Sequence, residues 1–174
     1  TVHSLAGVER AAALGMRCVV LGRELSAEDI RRICRQSPIA IEVFAHGALC
    51  MCWSGQCAMS ALIGSRSGNR GLCAQPCRLP YRFDSGKTGH PLSLKDACLA
   101  SHLTELEGMG VSILKLEGRM KRPEYVAVVT GIYAALLRER RPPTREELRQ
   151  LELAFSREGF TDGYWRGRPG PDMF

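Results

Sequence analysis

The chain has 174 residues, 45% of them hydrophobic, which is enough for one domain with a real core. Its net charge is +6, from 24 basic against 18 acidic residues, and 20 of the basic residues are Arg and only 4 Lys, a balance that favours anionic partners such as nucleic acid, because Arg makes planar, bidentate contacts to phosphate and stacks on bases. No apolar run reaches the roughly 18 residues of a membrane span and no signal-peptide pattern stands at Thr1, so a cytoplasmic protein without a membrane partner is expected, in which eight cysteines read as ligands, catalytic groups or buried hydrophobes rather than a disulfide framework.

The first 44 residues alternate helix and strand. Residues 4–14 carry helix formers and stop at Gly15, CVVLG at 18–22 is a short strand, and Ser26 caps a helix with Ile30 and Ile33 as its apolar stripe. IAIEVF, 39–44, is the next strand. Residues 95–108 read as helical, VSILKLEG at 111–118 as a strong strand, and PLSL at 91–94 as a short one. Pro123 opens a helix to Arg140 with Val126, Val129, Tyr133, Leu136 and Leu137 on one face, and Thr144 caps another. Strands separated by helices imply a parallel α/β sheet. Charges at the carboxyl ends, Glu42 in one strand and Lys115 and Glu117 in another, are the habit of a (β/α) barrel, and Arg23 and Glu24 stand past the end of CVVLG in the same way. A whole barrel needs about 250 residues. The expectation is therefore the second half of a TIM-type barrel, residues 1–121, with a C-terminal helical segment, 122–174. The missing N-terminal half, or a homo-oligomer partner, would cover its exposed edges.

Between these elements lies a cysteine-rich segment, 46–81, within a stretch from Ala45 to Phe83 that has no Asp or Glu. Cys50, Cys57, Cys73 and Cys77 have ligand spacing, and thiolates hold either a structural zinc or an iron–sulfur cluster. Gaps of six, fifteen and three residues are unlike the paired C-x2-C knuckles of zinc ribbons. Buried or redox cysteines are the plain alternative. Cys52, two residues from Cys50, is a reserve ligand. Cys18, Cys34 and Cys98 read as core.

Glu42 and His46 form a candidate acid–base pair, against a buried carboxylate that satisfies loop amides. In KLEGRMKRPEY, Lys115, Glu117, Arg119 and Lys121 sit where a strand passes to a helix amino terminus, a place suited to a phosphate or carboxylate; an internal Lys–Glu pair is the structural alternative. Arg66 and Arg70 of GSRSGNRG could wrap an anion as well. Peptidase motifs are missing: there is no H-E-x-x-H, and GSRSG has Arg66 where a nucleophile elbow needs Ser. A Cys50–His46 pair remains as a nucleophile–base arrangement.

EVFAHGALCMCWSGQCAMS, 42–60, resembles the signature of the collagenase-like peptidases, the thirty-second family of peptidases of unknown catalytic type, with Glu42, Phe44, Gly47, Leu49, Cys50, Gly55, Cys57 and Ser60 in register. The resemblance continues through SGNRGLCAQPCRLPY, LSLKD and KLEGRMKRPEYV. It implies either a peptidase acting on proteins or an RNA or ubiquinone hydroxylation protein. The latter would use a four-iron four-sulfur cluster on Cys50, Cys57, Cys73 and Cys77, with prephenate as oxygen donor. Positive charge and the absent peptidase nucleophile favour RNA, ribosomal or transfer. Prephenate, a small anionic co-substrate, would then be held by Arg119, Lys121 or the arginines at 66 and 70.

Overall fold

The computed structural model of the chain describes residues 1–119 and 121–174. Ser4 accepts from the Gly7 amide and starts helix α1, Leu5–Ala13, and Gly15, at φ 83°, lies just beyond its end. Strand β1 is Cys18–Val20, and Ser26 caps α2, Ala27–Gln36, through the Asp29 amide, with Ile30 and Ile33 buried as their spacing predicts. Strand β2, Ala40–Ala48, extends beyond the expected end at Phe44. After it come α3, Met59–Gly64, inside the cysteine segment, then a small antiparallel hairpin of β3, Tyr81–Arg82, and β4, Thr88–Gly89.

Two expectations fail in the next stretch. PLSL forms no strand, and residues 95–108 are not one helix: β5 is Asp96–Cys98, a 3-10 turn covers Ala100–His102, and only then does α4, Leu103–Gly108, begin. The reason is tertiary. The far half of β2 needs a neighbour, and β5 supplies it antiparallel, with His46 opposite Cys98 and Ala48 opposite Asp96.

Strand β6, Ile113–Leu116, and helix α5, Pro123–Glu139, follow; Thr144 then forms a full capping box with Glu147 at the start of α6, Arg145–Ala154, and β7 is Phe160–Thr161. The buried stripe of α5 is Tyr125, Val129, Ile132, Tyr133 and Leu136, while Val126 and Leu137 are exposed, a rotation from the expected face. The observed set keeps the i, i+4, i+7, i+8, i+11 spacing of one helix face. Burying each aliphatic member contributes roughly 1.5–3 kcal/mol.

Strand β2 is the spine of a five-stranded sheet among the described residues. Glu42 pairs with Val20 on one side and Ile113 on the other, so the parallel strands β1 and β6 flank its first half. His46 pairs with both Cys98 and Leu116, which puts β5 on the side of β1, and β7 adds to β5 in parallel. The architecture is mixed α/β with a mostly parallel sheet. Its described strands do not close into a barrel, and one of the pairings is antiparallel. The main hydrophobic core runs from Val8 through Val43 and Val129 to Leu151 and Trp165, so α5 and α6 share it with the sheet, and a smaller cluster gathers Leu49, Leu94 and Met173.

Candidate functional site

Up to Phe44 strand β2 alternates: Ile41 and Val43 are buried in the core, while Glu42 and Phe44 face the other, half-open side. The register shifts between Phe44 and His46, and this bulge turns His46 onto the core side with Ala45. Tyr133 donates to the Ala45 carbonyl at 2.9 Å and lies 3.2 Å from His46 Nδ1. His46 is 1% exposed, and no partner reaches its Nε2 among the described residues. Burial, with the charge of Lys121 adding to it, pushes the imidazole down to about 4, so it is neutral at neutral pH. The expected Glu42–His46 pair is therefore not assembled. A strict alternation would have placed residues 42, 44 and 46 on one face, and the bulge separates them.

On the half-open face the charges pair off. Lys115 Nζ donates to Glu42 Oε1 at 2.7 Å, and Arg23 Nη2 donates to Glu117 Oε2 at 2.8 Å. The Arg23 guanidinium stacks 3.7 Å from the centre of the Phe44 ring and also donates to the Ala48 carbonyl. Burial alone would raise the Glu117 carboxyl, but the Arg119 amide and the Arg23 guanidinium outweigh it and hold it below its ordinary value. Lys115 thus meets Glu42 across strands, not Glu117 along its own. Arg23 was not among the expected site residues; its signal was its position just past the end of β1.

Gly47 makes this arrangement possible. Its φ is 115°, and a Cβ there would lie 2.6 Å from Glu117 Cβ and 3.3 Å from the Glu117 carbonyl oxygen. Gly47→Ala is expected to lower stability by at least about 2 kcal/mol through backbone strain and displacement of Glu117. Gly131→Ala, in α5 with open space where its Cβ would stand, is expected to raise it by roughly 0.8 kcal/mol. Chemical denaturation of both variants checks the contrast; a Gly47→Ala midpoint equal to wild type would contradict it.

The cysteine segment leaves β2 at Leu49, which is 4% exposed. Arg78 fastens its far end, donating to the carbonyls of Leu49 and Leu94 and to Ser93 Oγ. Buried Ser60 accepts from the Ala74 amide at 2.9 Å, and Glu24 receives both the amide and hydroxyl of Ser54. Left-handed backbone at Gly55, Gly71 and Gln75 turns the loop. The outcome is one cavity of about 650 Å³ lined by Cys50, Cys52, Cys57, Cys73 and Cys77. Burial raises the Cys77 thiol, Arg78 opposes, and Cys50, Cys73 and Cys57 raise it further. Cys52 is likewise raised by burial, then by Cys57 and Cys50. The thiols are close enough to feel one another. No three Cys, His, Asp or Glu among the described residues converge closely enough for a single ion. A tetrahedral zinc with Zn–S bonds of about 2.3 Å would draw its sulfurs within about 4 Å of one another. The thiols around this wide cavity are the donor type that either a zinc ion or an iron–sulfur cluster takes.

A second cavity, about 740 Å³, adjoins this segment: Gln75, between Cys73 and Cys77, lines it with Arg119, Lys121, Arg122, Tyr125, Phe155 and Arg157. Lys121 Nζ sits 2.7 Å above the centre of the Phe155 ring. Burial, with Arg157 second, pushes its ammonium down to about 8. Arg119 reaches back to the loop, its Nη1 3.3 Å from where a Gly71 Cβ would stand. Arg66 instead donates to the Leu72 carbonyl within its own loop, and Arg70 is exposed in the 3-10 turn Gly68–Arg70. Neither lines the cysteine cavity.

The model of one protein family, described as peptidase family U32, matches residues 1–173. The chain is 42% identical over 130 residues to the 23S rRNA 5-hydroxycytidine C2501 synthase of Escherichia coli K12, covering 71% of this chain and 20% of that protein. It is 35% identical to the tRNA hydroxylation protein P of Helicobacter pylori strain 26695, covering 90% of this chain and 42% of the relative. It is 37% identical to a collagenase of Porphyromonas gingivalis W83, with 86% and 42% covered. The chain therefore spans less than half the length of each of these relatives. No solved structure matches it.

Proposed function

This chain belongs to peptidase family U32, and from that premise we propose that it is the cysteine-bearing part of an RNA-hydroxylating enzyme that uses an iron–sulfur cluster. The observation that carries the reading is the convergence of Cys50, Cys57, Cys73 and Cys77 on one cavity. Two relatives whose names give RNA hydroxylation, on rRNA and tRNA, support it. The parallel strands β1, β2 and β6 with helices between them are the repeat of a (β/α) barrel, and we read the sheet as part of one.

In this reading the four thiolates hold a four-iron four-sulfur cluster, which supplies one-electron chemistry when bound. The protein's own residues position. Arg78 and Ser60 fix the loop that carries the thiols. Glu117, held as a carboxylate, and Glu42 anchor Arg23 and Lys115 on the face at the strand ends. Prephenate is the oxygen donor we assign, and Arg66, Arg70, Lys115, Arg119 and Lys121 supply cations for anionic substrates. For the peptidase alternative, the nearest arrangement is Ser54, Glu24 and His3, with contacts of 2.8 and 2.6 Å. Its order is wrong for a Ser-His-Asp type of catalysis: the carboxylate stands between Ser and His, so the imidazole does not reach the hydroxyl.

Mass spectrometry of nucleosides tests the proposal. In rRNA or tRNA from cells lacking the gene, one nucleoside is expected to lose the mass of one oxygen atom, to be restored by wild type and not by Cys77→Ser. Unchanged nucleosides, together with cleavage of denatured collagen by the purified protein, would replace this reading with the peptidase.

A further inference from the structure

The second cavity carries more positive charge than its surroundings neutralise. Among the described residues Arg119, Lys121 and Arg122 have no carboxylate partner within salt-bridge distance; Arg157 is paired with Asp96, and Glu124 is the acid on the wall. Three unpaired cations drawn together repel one another, and Lys121 lies half-buried against Phe155. Such an arrangement is unfavourable unless an anion completes it.

The layout distinguishes the kind of anion. Arg119 and Arg122 are exposed at the rim, with Lys121 deeper between them. Through Arg119 the rim meets Gly71, next to Arg70, so positive charge runs on into the acid-free cysteine segment. An extended polyanion follows such a track, with guanidinium groups reaching its phosphates. Gln75 lines this cavity, and its amide lies 3.3 Å from Cys73 Sγ, so whatever is seated here lies beside the thiols.

We propose that the cavity formed by Arg119, Lys121, Arg122 and Arg157 seats a backbone phosphate of a single-stranded RNA segment and so registers the strand against the cysteine cavity. This rests on the RNA-hydroxylating reading above and adds a phosphate subsite to it. Arg119 and Arg122 are positioning residues that bind the strand without touching the reacting base.

Binding of a short fluorescent single-stranded RNA of mixed sequence to the 174-residue chain, measured by anisotropy over a potassium chloride series, tests the subsite. Arg119→Ala/Arg122→Ala is expected to weaken binding about tenfold at low salt. The slope of log affinity against log salt should fall by about 0.7 for each phosphate the variant no longer neutralises. Arg35→Ala, an exposed cation of α2, is the control and should change neither quantity. Arg119→Lys/Arg122→Lys keeps the charge and should keep most of the slope, which separates charge removal from misfolding. Wild-type affinity and slope in the alanine pair would overturn the subsite while leaving the RNA reading standing. The same holds if that pair loses only binding of malonate, a small dicarboxylate. Absence of RNA binding by the wild-type chain would overturn both.

Discussion

If the proposed cluster is present, the wild-type protein purified without oxygen is expected to carry about four iron and about four acid-labile sulfide per chain, and the Cys77→Ser and Cys73→Ser variants nearly none. Cys50→Ser and Cys57→Ser should retain a substantial part. The difference follows from Cys52, which lines the same cavity and whose thiol lies against Cys57 and near Cys50. Cys77 belongs to the far end of the segment, where Arg78 next to it is fastened to Leu94 and Ser93. A spare thiolate beside a lost ligand can take its place; one across the cavity cannot. Cys52→Ser/Cys57→Ser should therefore behave as Cys77→Ser does, and Cys34→Ser, in α2, as wild type. Iron and sulfide analysis reads all of these directly. Full iron in Cys77→Ser would end the four-ligand assignment, and one zinc per chain without sulfide would replace the cluster with a mononuclear site.

The second large effect is on stability. Arg157→Ala is expected to destabilise the fold by about 3 kcal/mol, which for a domain of this size lowers the melting temperature by about 10 °C. Asp96, in β5, is 1% exposed, and Arg157 Nη1 donates to its Oδ1 at 2.7 Å. With the guanidinium gone, a carboxylate is left buried without a partner where β5 joins β2 and β7. Arg149→Ala provides the contrast. Its partner Glu146 is solvent-exposed on α6, so that pair should contribute almost nothing. Thermal unfolding followed by circular dichroism compares them; equal melting temperatures for the two variants would show that the Asp96 ion pair stabilises no more than a surface pair.

Local features were legible in the chain because short-range physics sets them. Ser26 and Thr144 announce helix starts by hydrogen bonds to amides three residues on. Apolar periodicity located β1, the first half of β2, β6 and α5, with the buried stripe of α5 displaced to include Tyr125 and Ile132. The spacing of Cys50, Cys57, Cys73 and Cys77 in an acid-free loop singled out four thiols that line one cavity. Strand β5 escaped that reading, since Asp-Ala-Cys has no strand signature of its own and is recruited by an unpaired half of β2.

What the sequence determined by itself is thus a set of segments, their caps and a group of thiols bound for one place. The tertiary structure alone decided which distant side chains meet: Arg23 with Glu117 across 94 positions and Arg157 with Asp96 across 61. It also decided that Glu42 and His46, four residues apart, face opposite sides of one strand. A bulge and a long-range ion pair are set by packing between distant elements, and no local pattern of residues encodes that packing.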